Sequence, residues 1–228
     1  MNKTILLIIF SCLIFSQNLC AQIQAVTEYG DTIYVFDDGT WNFTGEKATL
    51  ADDYDLSYLD EVLTFDTSTV QYNHNPTGKR TLKSKYGFFD IFYDEDIWER
   101  VPPAQLNDEA EFAFVAKESD IWCVVIAEEI EVGLENVVKI AMNNMREYTG
   151  GEIDLRQLEV REVNGFEVVK GVFALNFSGL DFIFDSYYYS DENGTVQFTT
   201  WTGANVHEKY EPAIEELLNG LVLTVAGK

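Results

Sequence analysis

Three features of the chain predict an α+β fold, an antiparallel β-sheet flanked by helices and preceded by a small N-terminal β-meander. Apolar and polar residues alternate in runs separated by Gly, Asn and Asp, above all around Asn164-Gly165, a pairing that marks a tight hairpin. One clean stripe at 3.6-residue spacing, Leu134, Val137, Val138, Ala141, Met145 and Tyr148, stops at Gly150-Gly151. Strands run together with helices inserted between the runs, whereas a parallel α/β sheet would alternate them singly.

Taken in order, residues 1–21 read as a secretory signal peptide, with Lys3 as the positive n-region, Ile5 to Phe15 as the apolar core and Ala21 before the cut. That core is 11 residues long, against about 20 for a membrane span, so the mature chain is expected to carry no transmembrane segment. The expected location is therefore exported, periplasmic or extracellular. Lipid anchoring through Cys12 or Cys20 is not favoured: the apolar run continues past Cys12, and Gln17-Asn18-Leu19 is a poor lead into Cys20. Cys123 is then the single cysteine left, which excludes an internal disulfide.

Residues 22–44 form the three-stranded meander, with turns at Tyr29-Gly30-Asp31 and Asp37-Asp38-Gly39, and residues 45–63 an acidic linker with one helical turn near Leu56 to Val62. The main domain spans 64–228. Its strands are read at Tyr86 to Tyr93, Ala110 to Lys117 and Ile121 to Glu128, the last apolar enough to be buried on both faces. After the helix come Glu152 to Val163, Phe166 to Asn176, Leu180 to Tyr189 and Thr195 to Trp201 as a consecutive antiparallel meander. A second amphipathic helix, His207 to Leu218, precedes a short closing strand, Leu221 to Val225.

The composition excludes some function classes. With 15 Lys+Arg against 39 Asp+Glu in 228 residues, the net charge is −24, so a nucleic-acid partner would be repelled over most of the surface. Sixteen Phe, twelve Tyr and four Trp exclude a disordered acidic tail.

The stretch Gly87 to Val101, GFFDIFYDEDIWERV, with the strand pair at 110–129, the helix LENVVKIAMNNM at 134–145 and the hairpin at Asn164-Gly165, resembles the PsbP-like family. That family is named for a photosystem II extrinsic subunit and includes many bacterial exported proteins. The resemblance covers about residues 65–228 and implies an antiparallel sheet with helices on both faces. It also implies mostly non-enzymatic binding or assembly roles, and it supplies no metal or partner residues to carry across.

Candidate sites follow from residue types. His74 and His207 lack a second His or Cys at ligand spacing, so each reads equally as a loop or helix-start residue. Cys123, between Trp122 and Val124, reads as a small buried hydrophobe before it reads as a nucleophile. Among the acidic clusters, Asp94, Asp96 and Glu99 best suit Ca²⁺, although their spacing is not that of an EF-hand, and a solvated acidic face is the plainer reading. No acid interrupts residues 67–89, where Lys79, Arg80, Lys83 and Lys85 cluster near His74. Such a patch would receive a small anionic ligand or an acidic surface of an envelope protein, or else neutralise carboxylates of its own fold. Tyr187, Tyr189 and Trp201 would form an aromatic platform unless the last helix covers them.

The expected function is thus an exported envelope protein of non-enzymatic binding, scaffold or assembly type. The alternatives are a Ca²⁺-dependent structural or binding module and a carboxylate-dependent hydrolase; no cofactor beyond Ca²⁺ is expected.

Overall fold

The computed structural model describes residues 23–26, 32–35, 41–42, 57–75 and 80–224. The chain divides into two units, residues 1–55 and 56–228. In the first, strands β1 (Ile23–Val26), β2 (Thr32–Val35) and β3 (Trp41–Asn42) pair antiparallel in sequence order. The expected leader, 1–21, lies outside the described residues.

The second unit is built on an eight-stranded sheet. Its members are β4 (Asp66–Tyr72), β7 (Trp98–Val101), β8 (Phe112–Ala116) and β9 (Ile121–Glu128), then β10 (Asp154–Val163), β11 (Phe166–Phe177), β12 (Leu180–Asp191) and β13 (Gly194–Gly203). Across the sheet the order is β4-β10-β11-β12-β13-β9-β8-β7. The meander from β10 to β13 is as the alternation predicts. Asn164 and Gly165 sit at φ 52° and 86°, the positive pair that a two-residue hairpin turn needs. The sheet is not wholly antiparallel, because β4 runs parallel to β10. A second, three-stranded sheet, β14-β6-β5, joins β5 (Arg80–Lys83), β6 (Phe89–Tyr93) and β14 (Leu221–Leu223).

Strands β4, β5 and β7 have no counterpart in the periodicity, and each lies at the edge of its sheet. An edge strand is wet along one side, so Asp66 to Tyr72, with polar residues on both faces, shows no alternation to read.

Helix α1 (Leu134–Thr149) covers one face of the large sheet, packing on β11 and β12 and ending at Gly150 with φ 80°. Its buried residues include Val137, Val138, Ala141 and Met142, whereas Tyr148, expected inward, is 77% exposed. Residues 57–60, placed by the sequence in the linker, form a 3₁₀ turn docked on α1. Lys139 Nζ donates to the Leu59 carbonyl at 2.7 Å and Arg146 grips Glu61 with two bonds of 2.9 and 3.0 Å. Helix α2 (His207–Leu218) and the small sheet cover the opposite face, so the layer on that side is part helix and part strand. Phe89, Ile91, Ile214 and Leu217 meet Phe114, Val125, Tyr187 and Phe198 there in the main core.

No described helix is long and apolar enough to cross a membrane.

Candidate functional site: an aromatic groove on the sheet

Strand pairs set which side chains share a face. Trp122 faces Trp201 and Trp201 faces Phe184 across β9, β13 and β12, on the side that carries α1. The rings stack in a row, Trp122 on Trp201 with centroids 6.3 Å apart and Trp201 on Phe184 at 5.9 Å and 14°. A helix is about 10 Å across and strands lie about 4.8 Å apart, so one helix covers about two strands. With α1 seated on β11 and β12, the strip over β13 and β9 lies beside it and not beneath it.

On the far side of that strip the segment after β7 returns over the sheet, where Leu106 and Ala110 pack with Ala113 and Val124. Between α1 and this segment runs an open groove of about 900 Å³. Its floor is Trp201, Phe184, Val124 and Ile126 with the polar Gln197 and Thr199. One wall is the α1 face of Met145, Tyr148, Asn144 and Glu147, and the other is Leu106, Asn107 and Glu109.

Tyr188 also lines the groove, fully buried, and its hydroxyl has no hydrogen-bond partner. Burial raises its phenol well above the usual value, and the Ser186 hydroxyl that tempers this shift is itself engaged with Thr199 Oγ1 at 3.0 Å. A smaller depression of about 410 Å³ at the end of β10 to β12 is lined by Asp154, Arg156 and Asp181, with no aromatic side chain among its described lining.

The aromatic platform expected from Tyr187, Tyr189 and Trp201 is therefore corrected. Tyr187 and Tyr189 lie on the α2 face and Trp201 on the other, because Trp201 pairs with Phe184 and not with an odd-numbered tyrosine position. Tyr187 is 0% exposed, its hydroxyl donating to Asn219 Oδ1 at 2.7 Å. Tyr189 is half-buried against Phe166, ring centroids 5.7 Å apart.

The basic stretch is also largely engaged by its own fold. Arg80 Nε bonds Glu95 at 2.6 Å, and the Lys85 ammonium lies 4.6 Å from the Tyr86 ring centroid. Lys83 stands exposed opposite Asp90, and Lys79 lies outside the described residues. His74 stacks on Phe92 at 4.5 Å, with its backbone N–H donating to Asn164 Oδ1 at 2.7 Å. Asp94 accepts the Asp96 backbone N–H at 2.8 Å in the turn between β6 and β7. Among the described residues no three His, Cys, Asp or Glu side chains are grouped to hold a metal ion, so Asp94, Asp96 and Glu99 do not converge. The Cys123 thiol is fully buried, and burial pushes its pKa well up.

A charged network under α2 contains one residue the sequence singles out, His207, and five it does not. Asp185 Oδ2 lies 2.6 Å from His207 Nε2, and Lys170 Nζ lies 3.7 Å from Asp185 Oδ1. Lys170 also pairs with Glu215, which accepts from Arg161 at 3.1 Å, and Arg161 bonds Glu159. Lys170 and Asp185 are 3% and 1% exposed. With His207 protonated the six side chains balance, three positive against three negative, as burial in low dielectric requires. The signal that could have found them is parity: Lys170 sits between inward Val168 and Val172, and Asp185 between inward Ile183 and Tyr187.

No family model and no curated protein matches the chain. Among solved structures it is similar to PsbP from the cyanobacterium Synechocystis, with a TM-score of 0.49 and 11% identity over 64% of this chain and 92% of that one. A protein from Bacteroides thetaiotaomicron is similar with a TM-score of 0.47 and 10% identity, over 66% of this chain and 50% of that one. LpqN of Mycobacterium tuberculosis, described as involved in cell envelope biogenesis, gives a TM-score of 0.45 and 11% identity, covering 60% and 83%. At these values the likeness carries over no residue role and no activity.

Proposed function

We propose that this chain is an exported, non-enzymatic binding or scaffold protein whose ligand seat is the groove between α1 and the segment after β7. The observation that carries the proposal is the stacked pair Trp201 and Phe184 on the floor of a groove of about 900 Å³ beside the helix. Rings in this setting offer apolar area to a ligand at little entropic cost, since each has only two side-chain torsions to fix. The volume is at the upper end of the roughly 300–1,000 Å³ range of ligand pockets. Export is supported by the leader pattern at residues 1–21.

A neutral naphthylamine dye, dark in water and fluorescent in apolar surroundings, tests the reading. Saturable enhancement with the full chain is expected, and Trp201→Ala should weaken it about tenfold, roughly one aromatic contact. No enhancement, or enhancement untouched by Trp201→Ala and Phe184→Ala, overturns it. Turnover of an ester or glycoside substrate, lost on Asp185→Asn, would instead favour a hydrolase.

A further inference from the structure

We infer that the groove takes an extended peptide segment in which apolar and basic side chains alternate, supplied by a partner protein. The inference rests on the groove being the ligand seat and adds what the ligand is. Charge is the first reason. Glu109 stands on one wall and Glu147 on the other, and among the described residues no lysine or arginine lines the groove. The α1 cation next to Glu147 in sequence, Arg146, is committed to Glu61 through two bonds of 2.9 and 3.0 Å. Lys139, about two helical turns earlier, is held by Glu135 at 2.8 Å and by the Leu59 carbonyl. A cation entering the groove therefore meets two carboxylates that no lysine or arginine of the lining neutralises.

The floor gives the second reason. Trp201 and Phe184, with Val124 and Ile126, offer apolar surface to the side chains that alternate with the basic ones. The third reason is amide chemistry. Gln197 on the floor, with the Asn144 amide and the Asn107 amide nitrogen on the walls, offers donors and acceptors along the groove. A peptide main chain needs such partners where it is desolvated, while a hydrocarbon tail would leave them unpaired.

Dye-labelled peptides of sequence Leu-Lys-Phe-Lys-Leu, with both lysines changed to Gln or to Glu in two companions, test this by fluorescence anisotropy on the full chain. The Lys peptide should bind about tenfold more tightly than the Gln peptide, two rim ion pairs being worth about that much. The Glu peptide should bind most weakly. Glu109→Gln with Glu147→Gln should bring the Lys peptide to the affinity of the Gln peptide, while Glu152→Gln with Asp154→Asn, outside the groove, should leave its advantage in place. Equal binding of the Lys and Gln peptides overturns the inference and leaves the groove as a binding seat. An equal loss from the two pairs of variants also overturns it, since the preference would then be general attraction to an acidic protein. Binding of the neutral dye without any peptide overturns the peptide occupant alone, and failure of both overturns the seat itself.

Discussion

Asn164 does two jobs with one side chain. Its amide donates to the carbonyls of Asn219 and Leu221 at 2.8 and 2.6 Å, and its Oδ1 accepts the His74 backbone N–H at 2.7 Å. It thereby ties the end of β4 and the approach to β14 to the β10–β11 turn. Asn164→Gly keeps the positive φ and loses these bonds, and Asn164→Ala also strains the backbone. Urea unfolding should place the Gly variant about 2–3 kcal/mol below wild type and the Ala variant about 1 kcal/mol lower still. His207 carries a pH signal. The hydrogen bond to Asp185 raises its pKa, burial opposes the rise, Glu211 supports it and Lys170 opposes it. The stability this adds is fully present below the ordinary value near 6.5 and is lost as pH rises through the raised folded value. The melting temperature of wild type minus that of His207→Gln should therefore shrink from pH 6 towards alkaline pH, and a constant difference would refute the pairing. Lys170→Met leaves Asp185 and Glu215 without their shared cation and should cost about 3–5 kcal/mol. None of these partnerships could be read in advance, because the partners of Lys170 and His207 lie on other elements and sequence separation says nothing about them.

At the scale of elements, edge and center differ in what they reveal. Strands β11 and β12 are buried between layers and β9 and β13 on the α2 face, and their apolar runs and turn residues are plain in the chain. The edge strands β4, β5 and β7 each send only one or two side chains to the core, such as Trp98, and look like loops in the sequence. The junction of α2 and β14 depends on close approach: a Cβ on Gly220 would lie 1.9 Å from the Phe92 carbonyl oxygen. Phe92 N–H donates to the Gly220 carbonyl at 2.8 Å across this contact. Gly220→Ala should push β14 away from β6 and cost about 3 kcal/mol or more, measured by unfolding, with faster amide exchange at Phe89 to Tyr93. The α1 stripe was legible as a helix, but its inward face includes Met142 and leaves Tyr148 outward. Tyr148, in the last turn of the helix, stands exposed and forms part of the groove wall.

For the whole molecule, charge and coverage are decided at different levels. A net charge of −24 repels itself in the compact state. Raising salt from about 0.01 to 0.15 M, where the screening length falls from about 30 to 8 Å, should raise Tm by a few degrees. Helix-by-helix patterning, the Asn-Gly hairpin, the α+β order and the acidity belong to the sequence, because each is a local or additive property of neighbouring residues. What only the tertiary structure decided is which face each aromatic ring shares and how much of that face a single helix can cover. Cross-strand register put Trp201 beside Phe184 and not beside Tyr187, and the width of one helix left these rings lining an open groove. The candidate site exists for that reason, since register and coverage are relations between distant segments that no single segment encodes.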